Sequence, residues 1–592
     1  MTRPTSNRTL SLPQDDNATQ RARELAARRA AYSPWTPIPS EDGSPRPLQL
    51  AVKFTLRRPV LPAAERFWRT AAAGTAIGMV MGRETAAAAM RALVRRLTTK
   101  PLATAAEDGA AHVVQRYLPM FSSEERAELP AGGHTLGDAG FAWQRLAGSA
   151  PHHIEAVRAL PAHLKVRDEH LAGVLPPGCT LDGLIRGGAL FMVEMKSAFE
   201  GRLHHPTVVA AGIRAAPTSL FFVDPASRAL RPCAIQLLPE PVGGQPNPVF
   251  TPAAPPGAWL AAKLFANQAE SVAHSAGLHV AGNYAFAQAV VAMRRSLSAR
   301  HPIQALAEPW TSEVLPALAM MQLADYPIPA WKAPGGPLGG EYWRTFRLDD
   351  YHFRRRAESR GISGIEVFPW RDNLLDLWDA FERFNRDAVH LVYRDDSALT
   401  ADTEIQAWAA ALHSVDLCNM RASCLEATGG RFTSRDALIE VLTTLHFFMT
   451  VWHGYDAFNW AWYAWVPSTP LDFQLKLPIG LDDIPTDAIL AALPDPDSRG
   501  AREQRAAILA VRKQWHHSRL TTGGPDGHCV PRIDGYLNGL PGADRLVRAW
   551  FAELDALDRR FAARDRALMA ADLPPAPSAT YPSNCAGSMW FG

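Results

Sequence analysis

The sequence predicts a mainly α protein, a single large helical domain with a small β-hairpin or sheet region. Three observations carry that prediction. Beyond residue 257 the chain is dominated by long amphipathic segments, at 258–299, 371–390, 402–415, 435–465, 485–517 and 542–570, with apolar residues at helical spacing. No fixed-period repeat emerges when these segments are compared, which argues against a solenoid and for one bundle around long central helices. β-friendly text is confined to short runs between 187 and 251: GALFMVEM, TSLFFVDPASRALRPCAIQLLP and NPVFTP.

Along the chain, residues 1–48 are polar, Arg-rich and dotted with proline, and are expected to form an N-terminal arm ahead of one domain at 49–592. Within the arm, QRARELAARRAAY (Gln20–Tyr32) has the composition of one helix, whereas SPWTPIPSEDGSPRP after it can only be extended. Segments such as ETAAAAMRALVRRL predict helices in 84–147. WKAPGGPLGG and LTTGGPDGH read as loops between the later helices.

Composition narrows the function classes. Lys and Arg total 61 against 59 Asp and Glu, a net charge of +2 that gives no reason to expect a nucleic-acid partner. Among the 6 cysteines the nearest pair, Cys418 and Cys424, lacks the C-x2-C spacing of zinc or redox sites, so reduced core cysteines are expected. The N-terminus lacks an apolar leader core, and the weakly polar run at Ala71–Gly82 is too short to span a bilayer. A cytoplasmic protein without an integral membrane segment is the expectation.

Two helical segments hold residues suited to metal chemistry. The first, WLAAKLFANQAESVAHSAGLHVAGNYAFAQAVVAMRRSLSARHP, carries His274, His279 and Asn283, with His301 just beyond. At about 100° per residue, His274 and His279 diverge by about 140° while His279 and Asn283 are only about 40° apart. An i, i+5 pair would converge only through a π-bulge, so a regular turn over 279–284 pairs His279 with Asn283, and a bulge there would favour Tyr284 instead. The second segment, LTTLHFFMTVWHGYDAFNWAWYAWVPSTP, holds His446, His453, Asp456 and Asn459. His446 and His453 share a face but stand roughly 10 Å apart along the axis, so they serve different sites. Asp456 lies one turn from His453, about 60° round, and a carboxylate in such apolar text needs either a metal or a basic partner. Taken alone, His279 reads first as a satisfied core histidine.

Several separated blocks resemble the lipoxygenase family. LFFVDPASRALRPCAIQLLPEP followed by Trp259 and HSAGLH, then RSLSARHPIQAL, the block FPWRDNLLDLWDAFERFNRDAVHLVYRDDSALTADTEIQAWAAAL, and WHGYDAFNWAWYAWVPSTP are all similar to family segments, and the resemblance is clearest from about residue 150. It implies a helical catalytic domain holding non-haem iron, without the N-terminal β-barrel of plant and animal members and closer in plan to bacterial ones. The implied activity is insertion of O2 into polyunsaturated fatty acids or related lipids, by hydrogen abstraction at a bis-allylic carbon and capture of the radical by O2.

By the same resemblance, His279 and His453 match ligand histidines and His274 a non-ligand one. The family's remaining positions are altered here. The next slot falls on Asn283 or Tyr284, the residue four beyond His453 is Ala457, and the last residue is Gly592 where the family ends in isoleucine. The implied metal set is therefore His279, His453, Asn283, Asp456 and the Gly592 carboxylate, two histidines and one carboxylate being sufficient for a non-haem iron face. The alternative is an iron-less lipoxygenase-fold protein that binds a lipid or a partner, because each lost ligand lowers metal affinity.

Overall fold

The computed structural model describes residues 10–32, 109–117, 136–148, 151–199, 214–241, 246–274, 277–278, 281–311, 314, 345–415, 417–418, 420–458, 473–496, 520–521 and 533–585. The helices that carry the argument are α1 (Ala18–Ala31), α2 (Gly109–Tyr117), α3 (Asp138–Ala147), α4 (Pro256–His274), α5 (Gly282–Ser296), α6 (Pro302–Thr311), α7 (Pro369–Val392), α8 (Thr403–His413), α9 (Arg435–Phe447), α10 (His453–Phe458) and α11 (Ala543–Ala570). Five strands, β1 (Glu155–Ala156), β2 (Leu190–Glu194), β3 (Thr218–Val223), β4 (Leu230–Gln236) and β5 (Val249–Phe250), form an antiparallel sheet in chain order. The mainly α class with a small sheet is what the sequence predicts. Of the helices expected in 84–147, α2 and α3 are seen; of the segment expected at 485–517, Thr486–Ala492 is helical but the helix ends at Leu493, before Pro494, and residues 497–517 lie outside the described residues.

Each element follows from its local sequence. Proline at the start of α7 costs no hydrogen bond there, and Trp370, Leu374, Leu377, Trp378, Phe381 and Phe384 then recur every three or four residues on its buried side. That side packs on α9 and α11. Ser434 caps α9 by accepting from the Ala437 N–H, and Asp402 caps α8 by accepting from Glu404 and Ile405. β3 is buried along its whole length, which is why TSLFFV has no polar alternation. Its Phe221 pairs with Phe191 of β2 and stacks on Phe141 of α3, tying the sheet to the helices.

Two buried ion pairs join distant parts of the chain. Arg145 of α3 pairs with Glu270 of α4, donates to Asn267 at 3.0 Å and lies over the Phe141 ring. In the N-terminal segment, Arg21 is 3% exposed and donates through Nε to Glu404 of α8 at 2.5 Å, while Glu404 also accepts from the Ser298 N–H at 2.8 Å. Arg28 donates to the Arg294 carbonyl at 2.6 Å, and Arg295 to the Arg29 carbonyl at 2.8 Å. The helix expected in Gln20–Tyr32 is thus docked along α5. Among the described residues no helix is long and apolar enough to cross a membrane.

Removing Arg21 leaves the buried Glu404 carboxylate unpaired. Arg21→Met should lower the unfolding free energy by about 3–5 kcal/mol, and adding Glu404→Leu should recover most of it. Denaturant titrations of wild type, single and double variants check this.

Candidate functional site

The two segments singled out by their histidines run side by side through the core, and both depart from regular α geometry where they meet. Between α4 and α5 a π turn takes in Gly277, Leu278 and Ala281, and between α9 and α10 another spans Phe448–Trp452, immediately before His453. The regular turn expected over 279–284 is therefore corrected in its first part, with α-helical bonding resuming at Gly282. Two hydroxyls accompany the widened turns. Tyr351 donates to the Gly277 carbonyl at 3.3 Å, and Thr450 donates to the His446 carbonyl at 2.6 Å, one turn back. Such insertions occur mostly at functional sites.

Gly282 is the point of closest approach. A Cβ there would stand 2.7 Å from Phe448 Cζ and 3.2 Å from Tyr351 Cε1. Phe448 has nowhere to go, since its ring stacks on Phe286 at 4.2 Å and meets Tyr351 edge-on at 5.2 Å. Tyr351 also packs 5.9 Å from Trp452, so it touches both π turns. Sequence reasoning missed Gly282 and Tyr351. A glycine inside a helical pattern was a usable signal for the first; Tyr351 lies in the stretch between His301 and Phe368, where no motif stood out.

The individual candidates separate as follows. His453 is 1% exposed, its ring 6.2 Å from that of Phe448. Asn283 is 3% exposed, and its side-chain Oδ1 is buried with no hydrogen-bond partner. His279, Asn459 and Gly592 lie outside the described residues, as do the side chains of Asp456 and Tyr284. Among the described residues no group of three histidine, cysteine or carboxylate side chains is placed to hold a metal ion.

The other histidines have partners of their own. His301 Nε2 meets Asp402 Oδ2 at 2.9 Å, and the Tyr393 hydroxyl donates to the same oxygen at 2.7 Å. Burial alone would raise the Asp402 carboxyl, but the hydrogen bond and charge of His301 outweigh it and hold it below its usual range. His274 Nδ1 lies 3.3 Å from His152 Nε2, and the His153 ring packs at a tilt against that of His152. Burial, then neighbouring positive charge, keeps His152 and His153 well below the usual histidine range. His446 Nδ1 faces Asn385 Oδ1 at 2.9 Å, and burial pushes its pKa down to about 3. It is a neutral core imidazole, separate from His453 as its position along the helix implied.

A buried carbonyl oxygen without a donor costs about 1–3 kcal/mol unless a cation or donor meets it. The Asn283 side chain, in the first turn of α5 next to Gly282, thus holds a buried acceptor that a donor or a cation would satisfy. The surrounding Phe286, Phe448, Tyr351 and Trp452 exclude water from this region.

Comparisons with known proteins agree with this layout. The lipoxygenase family model matches residues 85–322 and 356–483, well over half of the chain. Polyunsaturated fatty acid lipoxygenase ALOX12 of Mus musculus is 28% identical over 455 residues, covering 73% of this chain and 64% of its own. Polyunsaturated fatty acid lipoxygenase ALOX15B of Homo sapiens is 28% identical over 372 residues, covering 61% of this chain and 54% of its own. The chain thus spans little more than half to under two thirds of the length of these relatives. Among solved structures, a lipoxygenase crystallised anaerobically with arachidonate aligns with a TM-score of 0.74 at 21% identity, over 98% of this chain and 83% of that one. A calcium-dependent 11R-lipoxygenase aligns at 0.73 and 19% identity, over 98% and 82%.

Two outcomes follow from this geometry. Gly282→Ala should cost about 1–3 kcal/mol by overpacking Phe448, measured by thermal or denaturant unfolding against a Gly→Ala control elsewhere. For His446, the unfolded chain takes up a proton as pH falls through about 6.5, the folded chain only near 3, so stability is full above the unfolded value and is lost as pH falls. Between pH 6.5 and 4.5 this residue should remove about 2 kcal/mol, a loss that denaturant titrations should find missing from His446→Gln.

Proposed function

The chain belongs to the lipoxygenase family. From that premise we propose that it is a non-haem iron dioxygenase that inserts O2 into polyunsaturated fatty acids or related lipids. The observation that carries the reading is the pair of π turns, at the two segments that match the family's ligand helices and that meet at Gly282 and Phe448, with the unpartnered Asn283 oxygen buried next to Gly282 in sequence. Lipoxygenases use non-haem iron, and in this chain His279, His453 and Asn283 would hold it, with Asp456 or the Gly592 carboxylate supplying the charged oxygen. Iron so bound supplies the one-electron chemistry that removes hydrogen from a bis-allylic carbon.

The chain's own residues prepare the site for that role. In this reading the π turns would aim ligands from two helices toward one point, and Gly282 lets the helices approach closely. Phe286, Phe448 and Trp452, all fully buried, keep bulk water away from this region. The π turn before Gly282 is the geometry that favours Tyr284 for the intermediate slot; Asn283 is kept as its rival because its buried oxygen has no hydrogen-bond partner among the described residues.

Metal analysis and O2 uptake test the proposal together. Protein from iron-replete cells should carry iron and consume O2 with linoleate or arachidonate, giving a conjugated-diene product. His453→Ala and Asp456→Ala should each lose the iron and lower turnover by more than about 100-fold, a larger effect than loss of a supporting residue. Asn283→Ala should weaken iron retention, and Tyr284→Phe and Asn459→Ala should not. Iron-free wild-type protein that takes up no O2 yet binds fatty acid would leave the lipid-binding reading in its place.

A further inference from the structure

Where α1 docks on the body of the molecule, a cavity of about 450 Å³ opens between α1, the C-terminal half of α5 and α8. This is within the range of small-molecule sites. It is reached from the surface and lies at the far end of α5 from Asn283. Its polar groups are unusual in sign. Arg29 and Arg295 both line it, and among the described residues neither forms an ion pair with a carboxylate.

Arg295 donates through Nη1 to the main-chain carbonyls of Arg29 and Tyr32, which fixes its guanidinium at the rim but leaves its charge uncompensated. Burial, and then the nearby Arg29, hold its pKa below the ordinary arginine value. Two guanidinium groups crowded together without an acid are a standing electrostatic cost that an anion removes, and an arginine fork suits a carboxylate.

Apart from Gln288, Ser296, Ser414 and Cys418, the remaining wall is apolar. Val291, Ala292, Ala411 and Leu417 line the cavity. A bare inorganic anion would use the arginines and leave this surface wet, whereas a molecule with a carboxylate head and an acyl chain uses both.

We propose that this cavity is a second lipid site, which binds the carboxylate of a long-chain fatty acid between Arg29 and Arg295 and its chain against α5 and α8. The proposal stands apart from catalysis and does not need iron. The ligand would bridge the docked N-terminal helix to the body of the molecule.

The test uses a diazirine-bearing palmitate analogue, saturated and so without a bis-allylic carbon, photolysed on the full-length protein, with adducts mapped by peptide mass spectrometry. Adducts are expected in 288–296 and 407–418. Arg29→Gln should reduce them about tenfold, the loss of roughly one charge-assisted hydrogen bond, and Ala411→Trp should abolish them by filling the cavity. The Arg29 side chain is exposed and makes no ion pair, so its replacement tests the site without unfolding the protein. Unlabelled palmitate should compete, and methyl palmitate and inorganic phosphate at the same concentration should not. Absent adducts, adducts that survive both substitutions, or equal competition by the methyl ester would overturn the proposal. Displacement by phosphate would also overturn it, by showing a simple anion site.

Discussion

The contact between Gly282 and the Phe448 ring sets the spacing of the two central helix runs, and most of the core is arranged to tolerate it. With 2.7 Å available where a Cβ would sit, the helices approach more closely than ordinary side chains allow. At that separation water is excluded, so every polar group between the helices must find a partner or a ligand. The aromatic groups around the contact are locked by one another: Phe448 lies between Phe286 and Tyr351, while Trp452 meets Tyr351, Phe353 and Trp370. The π turns belong to the same constraint. A widened turn changes the direction of the residues that follow it, so each helix can aim ligands at the seam while its apolar neighbours stay packed.

The histidines of the core show how burial sorts chemistry from structure. His152, His153 and His446 are all driven toward the neutral form, chiefly by loss of water. His301 instead has a carboxylate, Asp402, which also caps α8 and accepts from Tyr393, so it ties three segments together. His152 Nδ1, His153 Nε2 and His446 Nε2 are each buried without a hydrogen-bond partner among the described residues. At the start of α5 the unpartnered group is instead an acceptor, the Asn283 oxygen, which a cation can meet.

Much of this was legible in the sequence because it depends on short-range periodicity. The buried face of α7, the run from α9 into α10 and the confinement of strands to 187–251 all follow from residue spacing, apart from the two-residue β1. The separate fates of His446 and His453 followed from helical rise alone. What was not legible depends on partners far away in the chain. The π turn before Gly282 involves the hydroxyl of Tyr351, 74 residues from the carbonyl it meets. The docking of α1 rests on Arg21 finding Glu404, 383 residues on, and nothing in QRARELAARRAAY distinguishes the arginine that is buried from those left at the surface.

Helix α5 connects these features physically. Asn283 lies in its first turn and Arg295 in its last, about 18 Å apart along a rigid rod. One end is pinned by Phe448; the other is held by Arg28 on the Arg294 carbonyl and by Arg295 on the carbonyls of α1. A ligand between Arg29 and Arg295 can act on the rest of the molecule only through a difference in affinity between docked and undocked α1. It favours the docked form by an amount set by its concentration relative to its dissociation constant. Because Gly282 leaves no slack against Phe448, the seam end of α5 does not follow small displacements of the α1 end, and occupancy of the basic cavity registers first as N-terminal docking and stability.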